Sequence, residues 1–191
     1  MESFTNQLTQ KLKKAQKTGG IKRYRVIVNQ SRSIESGATN IDFRGGYFPT
    51  TISESVNGSY LFEWPNGNLS KGYIGRENLK SFSEFLKGSR ATAFKDPFGD
   101  NFPGPTPDPR VKVNSKEVEN LYMDPEKYLQ TWVQTLSDWQ NILNSKGSRY
   151  IKVSLDLNHR TVFSSEGLDL SEKSTSTSFI SGYDGTIYLK D

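Results

Sequence analysis

The chain has 191 residues, a net charge of +4 and a sequence pI of about 9.1. This length is enough for a domain with its own core, and we predict a single domain over residues 1–191. The absence of cysteine excludes disulfides and thiol-based metal sites or nucleophiles. No apolar run approaches the roughly 20 residues of a membrane helix, and Met1 is not followed by the apolar region of a secretory signal. We therefore expect a cytoplasmic protein without a membrane segment.

The first predicted element is an N-terminal helix, which Ser3 caps and Gly19-Gly20 ends. Its apolar positions follow helical spacing: Phe4, Leu8, Leu12 and Ala15. Four lysines accompany them: Lys11, Lys13, Lys14 and Lys17. The lysines favour a solubilising face near the C-terminal end of the helix dipole, and the alternative is a phosphate-binding face.

Strands follow this helix. Residues 21–30 predict a strand with Tyr24, Val26 and Val28 on one face and Arg23, Arg25 and Ile27 on the other, and residues 31–43 predict one or two polar strands. Residues 50–56, 59–64 and 69–74 predict further strands, separated by turns at Asn57-Gly58 and Pro65-Asn66-Gly67. Two Asn-Gly turns about nine residues apart indicate an antiparallel meander.

Two helices are predicted in the middle of the chain. The first starts at Arg76 and carries the apolar stripe Leu79, Phe82, Phe85 and Leu86, with Gly88 ending or interrupting it. The second starts after the cap Asp124, with Pro125 at its first position, and ends at Gly147. Between them, residues 96–110 are proline-rich and predict an extended loop. We interpret it as a strap over the domain's own surface, with a partner-recognition loop as the alternative.

The C-terminal part predicts a strand at residues 150–157, a turn at Asn158-His159-Arg160, and a strand ending at the turn Ser165-Glu166-Gly167. A serine-rich strand then leads to a turn at Asp184-Gly185. Its small side chains would let another backbone approach, so it is a candidate for peptide capture by strand addition. The candidate contact residues are Ser174, Ser176, Ser178, Ser181 and Tyr183. An ordinary sheet strand is the alternative.

We therefore predict an α+β domain, with an antiparallel or mixed sheet and about three helices. We expect no catalytic and no metal-binding residues. The single histidine, His159, has no second histidine to pair with, and neither a G-x-S-x-G nor an S-x-x-K motif is present. The carboxylates Glu117 and Glu119 fall in a charged segment that we interpret as solvated.

The chain resembles the N-terminal domain of the TldD/PmbA family, in its PmbA branch. The resemblance rests on the Ser-x-Gly turn and the polar strand at residues 160–185, on residues 91–98 with the following proline-rich run and residues 121–125, and on the hairpin at residues 58–75. That family was described as modulators of DNA gyrase and is better described as cytoplasmic metallopeptidases.

The resemblance implies a non-catalytic domain that helps wall the chamber through which an unfolded peptide reaches a metal. It implies zinc in a C-terminal half, outside residues 1–191, in active members, and whether the full-length protein is a peptidase or an inactive partner subunit stays open. It also implies homodimers or heterodimers with a TldD/PmbA-like subunit. We expect the 191 residues to be part of a longer chain.

Two other functions remain as hypotheses. The first is a nucleic-acid-binding or gyrase-associated module that uses the lysine-bearing N-terminal helix with Arg23 and Arg25. The wide spread of basic residues makes nucleic acid the less favoured partner. The second is a free-standing interaction protein whose recognition element is the loop at residues 96–110.

Overall fold

The computed structural model describes residues 4–39, 46–97, 102–105, 116–142 and 146–186. Their elements are, in chain order, α1 (Phe4–Lys17), β1 (Arg23–Thr39), β2 (Gly46–Glu63), β3 (Leu69–Ile74), α2 (Arg76–Lys80), α3 (Phe82–Ala91), α4 (Lys116–Met123), α5 (Pro125–Ile142), β4 (Lys146–Ser164) and β5 (Asp169–Thr186). The described strands form one antiparallel sheet in the order β3-β2-β1-β4-β5. The predicted α+β class is confirmed.

Contacts divide the chain into two compact units. The first unit consists of Met1–Gln30, Ser55–Val113 and His159–Glu172, and the second consists of Ser31–Glu54, Asn114–Asn158 and Lys173–Asp191. The long strands β1, β2, β4 and β5 each supply residues to both units. The prediction of a single domain stays a prediction.

The core of the first unit lies between α1 and one face of the sheet. The helix buries Phe4, Leu8, Leu12 and Ala15, as its spacing predicted. The strands and the turn after β2 contribute further buried residues to this core: Tyr24, Val26, Val28, Tyr60, Phe62, Trp64, Ile74 and Phe163. The alternation of buried and less buried positions along β1 confirms the predicted inward face. Aromatic rings supply much of this core, and Tyr60 stacks on Phe62 with ring centroids 4.2 Å apart.

The core of the second unit lies between α5 and the strands β1 and β4. Its buried residues are Ile34, Leu129, Val133, Ile151, Val153, Leu155 and Leu157. Leu129 and Val133 are four residues apart, so they lie on one side of α5, and Trp132 and Leu136 pack beside them half-buried. The side chains of Trp139 and Leu143, which the sequence also assigned to this apolar face, lie outside the described side chains. None of the described helices is long and apolar enough to cross a membrane.

The predicted turn at Asn57-Gly58 is wrong, because β2 runs without a break from Gly46 to Glu63. Gly58 is needed there for space. A Cβ atom on Gly58 would lie 2.9 Å from Ile74 Cγ2 and 3.3 Å from Ile27 O, so two neighbouring strands approach its backbone closely. The Asn-Gly pair thus marks close packing within a strand at this position, not a reversal of the chain.

Two other predicted turns are wrong for a similar reason. Strand β4 passes through Asn158-His159-Arg160, and β5 passes through Asp184-Gly185. The sequence also divided β1 at residues 30 and 31, where the strand is continuous. Each of these positions carries polar residues within a strand much longer than the usual five or six residues, so local polarity suggested a break that strand pairing overrides.

The two glycine turns that the sequence placed correctly have left-handed glycines. Gly67 has φ 81° and Gly167 has φ 92°, a region that side chains resist. At the first turn, the Gly67 amide donates to Trp64 O at 2.9 Å, and at the second, the Ser164 amide donates to Leu168 O at 3.0 Å. Both hairpins are therefore fixed by local chemistry.

The helices differ from prediction in three places. The Arg76 helix is divided at Ser81 into α2 and α3, and Gly88 lies inside α3 without ending it. Residues 116–123, for which no helix was predicted, form α4, and Glu117 and Glu119 are exposed on it as expected. Helix α5 ends at Ile142, and Gly147 belongs to β4. The predicted helices exist, and the division of one of them and the addition of α4 raise the number of described helices to five.

Candidate functional site

Strand β5 lies at one end of the sheet, where its described neighbour is β4. Among the described strands none pairs with its outer edge. The predicted contact residues lie on this strand: Ser174, Ser176, Ser178, Ser181 and Tyr183. The first four have exposed side chains, and the side chain of Tyr183 lies outside the described ones. Their use by a peptide stays a prediction.

The register between β4 and β5 shows which backbone groups of β5 face outward. At the hairpin, the Ser164 amide donates to Leu168 O, and farther along, the Ser176 hydroxyl donates to Asp156 Oδ2 at 3.3 Å. Both contacts fit one antiparallel register. In such a ladder, alternate residues turn both backbone groups toward the partner strand. Residues with the parity of Leu168 face β4, so Thr175 and Thr177 turn their amides and carbonyls toward the open edge.

The second unit holds β5 in place through α4 and α5. The Tyr122 hydroxyl donates to Asn158 O and to Ser174 O, the latter at 3.3 Å, and burial raises the pKa of Tyr122. Farther along the strand, Phe179 meets Trp132 edge-on with ring centroids 5.8 Å apart, although 53% of Phe179 remains exposed. The strand is therefore fixed from one face, and among the described strands none pairs with its outer edge.

A groove of about 950 Å³ runs in the first unit between α1 and the β4–β5 hairpin. Its floor is formed by Tyr24, Phe163 and Leu168, which are buried. Most other side chains that line it carry hydroxyl or amide groups. Its charged residues are Lys13 and Asp169, and His159 also lines it. From Thr5 to Gln16 the helix lines about 17 Å of it, at 1.5 Å per residue. Such a surface can donate and accept hydrogen bonds along an extended ligand.

His159 lies in this groove as a strand residue, where the sequence predicted a turn. Its Nε2 atom is 2.7 Å from the Ser171 hydroxyl on the adjacent strand. Ser171 is exposed on the strand surface, so this contact lies at the rim of the groove.

The described residues do not fit a zinc site. Zinc needs at least three ligating side chains in one geometry. Over residues 4–39, 46–97, 102–105, 116–142 and 146–186, no group of three histidine, cysteine, aspartate or glutamate side chains could hold a metal ion.

A buried carboxylate pairs with one of the predicted nucleic-acid contacts, Arg23. Glu63 has a side chain only 7% exposed, and it binds Lys22 Nζ at 2.7 Å and Arg23 Nε. Burial alone would raise the pKa of Glu63, but the hydrogen bonds and charges of these two cations outweigh it and hold the pKa below its ordinary value. The guanidinium of Arg23 is thus neutralised within the domain.

The described part of the proline-rich loop packs on the first unit. Phe102 is buried, and Arg23 lies over its ring, 4.6 Å from the centroid. The Ser164 hydroxyl donates to Pro103 O at 2.8 Å. Residues 102–105 therefore behave as the strap that the sequence suggested. The remainder of the loop beyond residue 97 lies outside the described residues.

Sequence reasoning missed the groove and the buried cluster. The groove combines helix residues near Thr5 with strand residues near Ser171, and Glu63 meets Lys22 and Arg23 across some forty positions of sequence. The sequence did contain one signal for the cluster. Glu63 lies within the run from Tyr60 to Trp64, whose aromatic residues are buried, and a buried carboxylate requires partners.

Several solved structures have the same fold as this chain. A candidate modulator of DNA gyrase from Bacteroides thetaiotaomicron matches with a TM-score of 0.55 and 16% identity, over 94% of this chain and 41% of its own. A second candidate modulator, from Thermotoga maritima, matches with a TM-score of 0.54 and 11% identity, over 95% and 42%. TldE from Thermococcus kodakarensis matches with a TM-score of 0.50 and 13% identity, over 90% and 37%.

The chain has the fold of the TldD/PmbA family. At identities of 11–16% the likeness concerns the fold alone, and it confirms the resemblance at that level. The chain spans about two fifths of the length of each of these proteins. No protein-family model matches the sequence, and no curated protein matches it.

Proposed function

We propose that this chain is the non-catalytic N-terminal domain of a TldD/PmbA-type protein and that the open edge of β5 holds an unfolded peptide. The proposal is carried by one observation, the position of β5 as the end strand of the sheet in a domain with the TldD/PmbA fold. The captured peptide would be one that moves toward a metal-bearing part of the longer protein.

Strand addition suits a substrate of varied sequence. The backbone of an edge strand supplies the hydrogen bonds, so affinity depends little on the side chains of the peptide. On β5 the outward groups of Thr175 and Thr177 would supply them, and the small side chains of Ser174, Ser176 and Ser178 leave room along the strand. An edge strand without a partner is a liability for aggregation, and no strand in the described part of the chain covers the outer edge of β5, which supports an occupant.

The wider assembly is part of the same proposal. A cytoplasmic dimer with a TldD/PmbA-like subunit and zinc in the remaining part of the protein would complete the peptidase chamber. The name of two neighbours also suggests a gyrase-associated or nucleic-acid-binding role. That alternative is weakened because Glu63 neutralises Arg23 and because Lys11 Nζ lies 5.7 Å from the centre of the Phe82 ring, over the domain's own surface.

A proline substitution at the open edge tests the proposal. Thr177→Pro removes one outward amide without removing a bond to β4, so the fold should persist. The probe is a fluorescein-labelled decapeptide of serine, threonine and valine without charged side chains. We expect its anisotropy-measured affinity to fall at least tenfold in Thr177→Pro, whereas the control Thr177→Val, which keeps the amide, should bind as the native chain does.

Hydrogen exchange locates the probe. Binding should slow exchange of the β5 amides in the native chain and in Thr177→Val. Equal affinity of both variants, or protection confined to other strands, would show that β5 does not capture the peptide. A thermal unfolding curve of each variant establishes that any lost binding is not lost folding.

A further inference from the structure

The first unit has a second depression, on the sheet face opposite α1. The strands β1, β2 and β3 bury alternate side chains against α1, and the intervening ones line a depression of about 440 Å³ on the opposite face. This depression is lined by Arg25, Ile27, Ser59, Leu61, Lys71 and Tyr73, together with parts of Tyr60 and Gly72. Its size is within the range of about 300–1,000 Å³ that is usual for ligand sites.

The depression combines positive charge with apolar surface. Two of its lining side chains, Arg25 and Lys71, are cations, and no carboxylate lines it. Neither of them forms an ion pair with any residue in the described part of the chain. The contrast is with Lys22 and Arg23, whose charges Glu63 neutralises. Lys71 Nζ also lies over the Phe94 ring, 6.0 Å from its centroid. Arg25 and Lys71 thus carry charge that no carboxylate of the described domain neutralises.

Tyr73 is an unusually exposed aromatic side chain in this depression. It is 85% exposed, although the pairing of β2 with β3 places it directly opposite Ser59 and places Lys71 directly opposite Leu61. Side chains opposite each other in such a ladder have Cβ atoms about 5 Å apart. The phenol ring, Leu61 and the cation of Lys71 therefore lie within one short stretch of surface. A ligand that covered this stretch would bury a ring that the domain itself leaves in water.

We propose that this depression binds an acidic segment of a peptide, in which carboxylate side chains pair with Arg25 and Lys71 and a neighbouring apolar side chain packs on Tyr73. The inference rests on the proposed function, because it names a preference of the peptide that the domain holds. Single-stranded nucleic acid fits less well, since it requires a groove of cations that follows the backbone, and the adjacent Lys22 and Arg23 are already paired.

Charge-removing variants test this site. The probe is a fluorescein-labelled octapeptide in which glutamate alternates with leucine, and the matched probe has glutamine in place of glutamate. In the double variant Arg25→Gln, Lys71→Gln, we expect the affinity for the glutamate probe to fall at least tenfold. The double variant Lys14→Gln, Lys87→Gln removes the same charge from exposed helix positions and should bind within about twofold of the native chain.

An independent reporter covers the case in which the charge variants do not fold. Tyr73→Trp is tolerable at so exposed a position. Its indole emission should change when the glutamate probe is added and should not change with the glutamine probe. Tighter binding of a labelled oligothymidine at equal ionic strength would assign the site to nucleic acid and overturn the proposal. Equal binding of both octapeptides, or equal loss in the two double variants, would overturn it too.

The two proposals are separated by testing both sets of variants with both kinds of probe, the uncharged decapeptide and the glutamate octapeptide. Thr177→Pro should leave the indole response of Tyr73→Trp to the glutamate probe intact, because the charged depression is built from β1, β2 and β3. If Thr177→Pro loses only the uncharged decapeptide and Arg25→Gln, Lys71→Gln loses only the glutamate probe, both proposals hold. Failure of either one then leaves the other measurable.

Discussion

Two glutamates, one in each unit, allow a comparison of how burial changes the contribution of an ion pair to stability. Glu63 in the first unit has a side chain 7% exposed and binds two cations. Glu35 in the second unit is 38% exposed and binds Lys152 Nζ at 2.8 Å, with Lys152 itself 42% exposed. The two Lys–Glu distances are nearly equal, 2.7 Å for Lys22 Nζ to Glu63 and 2.8 Å for Lys152 Nζ to Glu35. Geometry alone does not distinguish the pairs.

Solvent distinguishes them. Water screens the exposed pair and solvates either partner when the other is removed, so such pairs contribute little. The buried carboxylate has given up its hydration and depends on Lys22 and Arg23, and these in turn connect the start of β1 to the end of β2 and to Phe102. We therefore expect the stability of the first unit to depend on Glu63 and the stability of the second unit to depend little on Glu35.

Of the two glutamate substitutions, Glu63→Gln should have the larger effect on the free energy of unfolding. Glu63→Gln keeps the size of the side chain but removes the charge that Lys22 and Arg23 share. We expect a loss of about 2 kcal/mol in the free energy of unfolding, less than for a fully buried pair because both cations are partly exposed and regain water. Urea denaturation at pH 7 measures it. A loss below about 0.5 kcal/mol would mean that burial does not strengthen this cluster.

The pH dependence of that loss should identify the carboxylate as its source. The cations hold the pKa of Glu63 below its ordinary value near 4.5. The unfolded chain therefore takes up a proton on Glu63 before the folded chain does, and the stability contributed by the charge is present above the unfolded pKa. The difference between the native chain and Glu63→Gln should stay constant from pH 7 to about 5 and then shrink as the pH falls through the folded pKa.

Denaturation midpoints of both proteins, measured between pH 3 and pH 7, give this difference directly. Taking the difference removes the effect of other carboxylates that titrate in both proteins. A difference that grows in acid, or that is the same at pH 3 as at pH 7, would contradict the assignment of the lowered pKa to Glu63.

Sequence reasoning succeeded where neighbours along the chain decide the structure. The buried side of α1 follows from the spacing of Leu8 and Leu12, and the hairpins at Gly67 and Gly167 follow from the need for a left-handed backbone. It failed where distant strands decide. Gly58 is a glycine because Ile27 and Ile74 crowd it, a reason that no local pattern contains.

The candidate site divides in the same way. The serine-rich strand was predicted from its composition, whereas its place at the end of the described sheet came from the structure, and its use by a peptide stays a prediction. The outward direction of Thr175 and Thr177 required the register with β4, and the depression around Tyr73 required the order of β1, β2 and β3. Cross-strand neighbours are set by tertiary pairing, so the sequence by itself gives the residues but not their partners.

Replacing Glu35 by glutamine should have the smallest effect and completes the comparison. Glu35→Gln breaks the pair with Lys152 but keeps an oxygen that can accept the Ser154 hydroxyl, now 3.3 Å from Glu35 Oε1. We expect the free energy of unfolding to change by only about 0.3 kcal/mol, and added salt to reduce even this, because both side chains remain in water. Urea denaturation at low and high salt measures the change. A loss as large as that of Glu63→Gln would show that connecting two strands, and not burial, determines the strength of these pairs.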